Sequence, residues 1–197
     1  MGDNSPDFDD AYRATARIRE LADSTSDADA KLIADMVALQ TCFYTGRFSA
    51  SLDHCASFLN GYEPDRHRAL ADTYSTDLEV VCLVHQAITS YVVGQYDRAA
   101  EISLRVGELV GEIDHPYSAA WGSTWGAVPD LLRWDTTRAA QRVRSGYRIA
   151  EENDYAYVSA MAKMLDGWLQ ARLGRGDGVN AIEEGLQAFR ETGAEIV

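Results

Sequence analysis

Val93-Gly94-Gln95-Tyr96-Asp97-Arg98-Ala99 is the first of three turns set at one step along the chain. The others are Leu132-Arg133-Trp134-Asp135-Thr136-Thr137-Arg138-Ala139 and Leu173-Gly174-Arg175-Gly176-Asp177. Gly94, Trp134 and Gly174 stand 40 residues apart. Apolar residues at helical spacing flank each turn on both sides, so one repeat is a helix, a tight turn and a second helix. A helix pair of that size cannot bury its apolar stripe alone, and stacking of successive pairs supplies the cover. The pattern predicts an all-α chain built as a right-handed α-solenoid of helix-turn-helix repeats with a period of about 40 residues.

Working outward from these turns, Phe8, Ala11, Ala14, Ile18 and Leu21 predict a first helix ending near Ala22. Asp23-Ser24-Thr25-Ser26-Asp27 supplies caps for a second helix, Ala28 to Tyr44, and a third runs from Phe48 to Leu59. From Gly46 to Gly94 the step is 48 residues, and the surplus falls in Gly61 to Arg68, which reads as a surface loop. A short helical turn at Ala69 to Tyr74 and a largely apolar, central helix from Leu78 to Val93 follow. The remaining helices are Tyr96 to Glu112, Pro116 to Leu132, Thr136 to Glu152, Tyr155 to Leu173 and Val179 to Glu191. Pro129 predicts a kink or an early helix end near Ala127 or Val128. Residues 1–6 read as a disordered amino terminus, and 7–197 as one helical unit.

Acidic residues outnumber basic ones 31 to 18, a net charge of -13 that repels polyanions and argues against nucleic acid as a partner. The longest apolar run, Val80 to Val84, falls far short of a membrane span. Met1 to Asp7 lacks the basic start and apolar core of a signal peptide, so the expected location is cytoplasmic. Cys42, Cys55 and Cys82 are odd in number and sit in helical patterns, which suits reduced, buried thiols. Cys82 and His85 share a helix face, but with His54 and Cys55 they form too dispersed a set to predict a metal. No nucleophile elbow, phosphate loop or acid–base pair stands out, so the chain reads as non-catalytic and without a cofactor.

Gly94 to Ala99 resembles the turn inside tetratricopeptide repeats, where glycine turns the chain, an aromatic packs beneath it and alanine lets the helices close. Longer stretches resemble the tetratricopeptide region of multidomain bacterial class III adenylate and guanylate cyclases and of related predicted ATPases and signal-transduction regulators. These are Pro64 to Ala71, Asp114 to Ala119, and Gly167 to Glu195 with its Arg190-Glu191-Thr192-Gly193-Ala194-Glu195 end, so that the likeness runs from about residue 26 onward. The resemblance implies a protein-interaction or regulatory module, with a cyclase or ATPase domain as a possible partner and no catalytic domain in this chain. It also implies that the chain is a fragment of a longer array or the remnant of one. The alternative reading is a regulatory piece of a parent nucleotide cyclase or ATP-dependent regulator.

Two constellations are candidate sites. Tyr117, Trp121 and Trp125 follow at i, i+4 and i+8, a stripe suited to lining a partner groove on the first helix of a pair, or to filling the core between repeats, the commoner fate of such a stripe. Arg138, Arg142, Arg144 and Arg148 form a cationic island that suits a carboxylate or phosphate, or a solvated face paired with Glu151, Glu152 and Asp154. His67, between Arg66 and Arg68, reads as a loop residue. On the last helix Val179, Ile182, Leu186 and Phe189 are expected to dock inward, and the other flank either to self-associate weakly or to be kept small enough by Ala181, Gly185 and Ala188 to stay monomeric.

Overall fold

The computed structural model describes residues 8–25 and 27–194, so the segment 1–6, expected to be disordered, lies outside the described residues. The helices are α1 (Phe8–Asp23), α2 (Ala28–Tyr44), α3 (Phe48–Gly61), the short α4 (Pro64–His67) and α5 (Ala71–Tyr74) joined by a 3-10 turn at Arg68–Leu70, α6 (Leu78–Val92), α7 (Tyr96–Glu112), α8 (Pro116–Leu132), α9 (Thr136–Glu152), α10 (Ala156–Arg172) and α11 (Gly178–Glu191). Among the described residues no strand forms, and no helix is long and apolar enough to cross a membrane. The helix starts follow from local chemistry. Asp27, Asp77, Asp135 and Asp177 each accept a hydrogen bond from a backbone N–H of the following first turn, neutralising donors that have no partner inside the helix.

One turn geometry closes the long hairpins. Gly46, Gly94, Trp134 and Gly174 adopt left-handed backbone angles (φ 74, 85, 65 and 63°). The N–H of the next residue then donates to a carbonyl five residues back: Arg47 to Cys42, Gln95 to Ser90, Asp135 to Asp130 and Arg175 to Gln170, at 2.8–3.0 Å. The same closure at Asp154 (φ 58°), with Tyr155 donating to Ala150 at 2.9 Å, joins α9 to α10. These turns leave three residues between helices, five between α10 and α11, and force antiparallel neighbours. Thus α2 packs on α3, α6 on α7, α8 on α9 and α10 on α11, while the leading helices α2, α6, α8 and α10 also touch in succession.

The core is a row of apolar clusters laid between these pairs. Leu32, Leu39, Cys55, Phe58 and Cys82 fill the first, Val80, Val84, Val106 and Leu109 the second, and Ala127, Val143, Ala162 and Leu169 the third. Small residues set the closest approaches. A Cβ on Gly146 would lie 2.2 Å from Thr124 Oγ1 and 2.9 Å from the Ala120 carbonyl, and one on Gly178 would meet the Ala171 nitrogen at 2.3 Å. Cys42, Cys55 and Cys82 are buried free thiols, as the composition indicated.

Three local expectations are corrected. Helix α8 does not end at Ala127 or Val128 but runs through Pro129 to Leu132. Proline there forfeits a single N–H bond in the last turn, and the Asp135-to-Asp130 closure secures the end. Gly61 to Arg68 is not a plain loop: Pro64 starts α4, and His67 is buried, accepting the Glu63 N–H at Nδ1 (2.8 Å) and contacting Asp29 through Nε2 (3.0 Å). In α11 Phe189 is buried and the Ile182 backbone lies against Gly167, as expected, but Val179 is 61% exposed and Gly185 of the small flank docks as well, against Met164 and Ala160. Helices approach most closely where a side chain is absent, so Gly185 is drawn into the interface beside Phe189.

Trp134 occupies a backbone region that costs non-glycine residues about 1–2 kcal/mol. Its ring offsets this by stacking under the Arg172 guanidinium, 3.7 Å from the centroid, and beside Trp168 at 6.4 Å. Gly94→Ala and Gly174→Ala, where nothing lies within 4 Å of the new methyl, will each lower stability in urea denaturation by about 1–2 kcal/mol through backbone strain alone. Trp134→Gly relieves strain as it loses stacking, and is expected to remain within about 1 kcal/mol of the parent.

Candidate functional site

Rings from successive leading helices meet along one side of the molecule. Phe43 and Tyr44, at the end of α2, contact the His85 ring of α6 edge-on at 4.7 and 5.9 Å. His85 stacks on Trp121 of α8 at 6.4 Å and 21°, and Trp121 leans on Trp125 at 6.0 Å. Beside the Trp125 indole lies the Tyr157 hydroxyl of α10, and the Tyr157 ring reaches Phe189 of α11 at 5.3 Å. The row carries no formal charge. Trp121 and Trp125 are half-buried, packing on core clusters beneath while presenting an edge outward, and Tyr44 is 62% exposed. The helical stripe is therefore both core and surface. Tyr117 leaves the row and meets Tyr155 edge-on at 5.0 Å.

Two polar atoms sit within this apolar row. The Trp125 indole N–H is buried and faces the Tyr157 hydroxyl. His85, 3% exposed, donates from Nδ1 to the Val81 carbonyl at 2.8 Å, which leaves Nε2 as the unprotonated acceptor. Burial pulls the His85 pKa down to about 4, so the ring is neutral near neutral pH. Val81, Trp121, Leu78 and Met36 also line a cavity of about 240 Å³ between α2, α6 and α8 that continues the row.

The arginines are dispersed rather than gathered. Arg142 turns inward, 9% exposed, with Nε 2.9 Å from Oδ2 of the fully buried Asp130. Its Nη2 donates to the Ser103 carbonyl, and Ser103 Oγ donates to Asp130 Oδ1 at 3.1 Å, so α7, α8 and α9 meet at one ion pair. Room for the guanidinium comes from Gly107 and Gly126, where a Cβ would fall 3.0 and 2.8 Å from its nitrogens. Burial raises the Asp130 carboxyl above its ordinary value and lowers Arg142 below its own, each offset in part by the other's charge. Arg138 pairs with Asp135 at 3.2 Å and Arg148 with Glu152 at 2.7 Å. Arg144 is exposed and has no ion-pair partner.

Sequence reading missed Asp130, Ser103 and His85 as site residues. The available signal was a carboxylate on the inner stripe of α8, where apolar residues otherwise run. It also missed Asp35, 6% exposed on α2, which accepts from Ser57 Oγ at 2.6 Å, from Arg19 and from His54 Nδ1 at 3.0 Å. Burial pushes the Asp35 pKa up, but these three bonds together hold it below its ordinary value. Among the described residues no group of histidine, cysteine and carboxylate side chains could hold a metal ion. Cys55 and Cys82 face each other's carbonyls at 4.0 and 3.8 Å, and His54 is engaged by Asp35 instead.

Removing one partner of the buried pair leaves a charge without compensation. Asp130→Asn is expected to cost about 3–5 kcal/mol in chemical denaturation, and Asp130→Leu with Arg142→Met to recover most of that loss. His85 has a folded pKa depressed from 6.5 to about 4, so the unfolded chain binds the extra proton first as pH falls. Stability contributed by the neutral ring is full above about pH 6.5 and declines by about 3 kcal/mol toward pH 4. His85→Gln is expected to flatten that part of the stability–pH curve. No protein-family model matches this chain, and no curated protein matches it.

Proposed function

We propose that the chain is a non-catalytic module of tetratricopeptide-like helical repeats, a right-handed solenoid, that binds a peptide segment of a protein partner along its aromatic side. The observation that carries this reading is the uncharged ring row from Tyr44 through His85, Trp121 and Trp125 to Tyr157, on a chain whose net charge is -13. Surfaces of so acidic a protein are dense in carboxylates, so an aromatic row clear of them marks a contact face. Half-buried tryptophans are rigid and lose little side-chain entropy on binding, which makes them effective anchors. The 40-residue recurrence of the left-handed turn and the succession of hairpins support the repeat reading.

Selection of peptides from a random display library against the full chain tests this proposal. Recovered peptides are expected to bind Trp121→Ser/Trp125→Ser about tenfold or more weakly, a loss typical of aromatic anchors, and to slow amide exchange in α6, α8 and α10. Peptides that bind the parent and the double variant equally overturn it.

A further inference from the structure

On the side of α10 opposite Tyr157, Met161 and Trp168, the backs of α9, α10 and α11 enclose a cavity of about 490 Å³. Its floor is apolar: Val143 from α9, Ala162 and Leu169 from α10, Leu173 from the following turn and Ala181 from α11. Around that floor stand Arg144, Lys163 and Arg175, with Asp166 as the one carboxylate in the lining. Asp166 is already engaged, accepting from Gln170 Nε2. Lys163 is engaged too, 2.7 Å from Glu184. Arg144 and Arg175 are exposed and form no ion pair or side-chain hydrogen bond among the described residues, whereas Arg138, Arg142 and Arg148 are each matched to a carboxylate.

We propose that this cavity binds a small organic anion whose apolar body fills the floor and whose carboxylate or phosphate group is held between Arg144 and Arg175. The volume lies within the range of about 300–1,000 Å³ that small-molecule sites occupy. Charge complementarity argues for the sign of the ligand. The lining carries Arg144, Lys163 and Arg175 against the single, already engaged Asp166, so the cavity is locally positive in a chain with 31 acidic residues against 18 basic ones. Guanidinium forks are suited to planar, bidentate capture of such groups. The cavity continues past Tyr147 and Lys163 into a second space of about 360 Å³ lined by Glu151 and Glu191. The positive end of the groove is thus confined to Arg144 and Arg175, which orients the ligand with its anionic head at that end. The short turn between α10 and α11, with Gly174 and Gly176 both at φ 63°, projects Arg175 from the same segment that places Leu173 in the floor. This site lies on the other face of α10 from the aromatic row and does not depend on the function proposed for it.

Isothermal titration of the full chain with octanoate, octyl phosphate and the neutral octanol tests the proposal. At least one of the two anions is expected to bind at millimolar concentration or below, tighter than octanol, and to weaken as salt is raised. The tighter of the two assigns the head group. Arg144→Gln/Arg175→Gln, changes confined to exposed side chains, is expected to weaken binding about tenfold or more. Leu173→Asp, at a position 42% exposed, places a negative charge on the floor and is expected to weaken it as well. Absence of binding by both anions, octanol binding as tightly as they do, or unchanged affinity in the arginine double variant each overturns it.

Discussion

Asp130 performs two jobs with two groups, and the middle of the molecule depends on both. Its carbonyl accepts the Asp135 N–H and closes the α8–α9 turn, while its carboxylate meets Arg142 from α9 and Ser103 from α7. A buried ion pair adds little net stability compared with apolar packing of the same volume, because desolvation consumes most of the attraction. What it supplies is register. The guanidinium fits only over Gly107 and Gly126, and only where Asp130 stands beneath it, so sliding α9 by a turn would bury an unmatched charge.

That register is what lines the leading helices up. With α8 held against α7 and α9, Trp121 and Trp125 emerge beside His85 on one flank and Tyr157 on the other. The tight left-handed turns contribute the other constraint. Connections of three residues, five before α11, leave little slack, so the offset between partners of a hairpin is set by where the helix ends rather than by loop length. Trp134 shows how far this goes: a tryptophan adopts glycine's conformation and finds its compensation by covering Arg172 of the next helix pair.

The two faces of α10 illustrate how one helix serves separate surfaces. Gly167 and Ala160 let α11 press close along one side, leaving α11 apart from α9 and opening the cavity over Lys163. Ring contacts from Tyr157 occupy the opposite side. Small residues at one interface therefore create space at the next.

Helix limits, caps and the repeated turn were legible in the sequence because each is a local matter. Glycine or its substitute at a recurring turn, an aspartate before α2, α6, α9 and α11 and a 3 to 4 residue period act within a few residues of themselves. The stripe Tyr117, Trp121 and Trp125 was legible as a stripe, but its division into core and surface was not. That division depends on His85, 36 residues before Trp121, and on Tyr157, 32 residues after Trp125. The arginine island was legible as charge alone. Burial of Arg142 followed from Asp130 and two glycines on other helices, while the carboxylate that lines a cavity with Arg144, Asp166, is taken by Gln170. His67, the exposed Val179 and the docked Gly185 departed from expectation for the same reason. A residue's own helix fixes which way its side chain points, but the facing helix determines whether it is paired, buried or left free, and only the packed chain brings the two together.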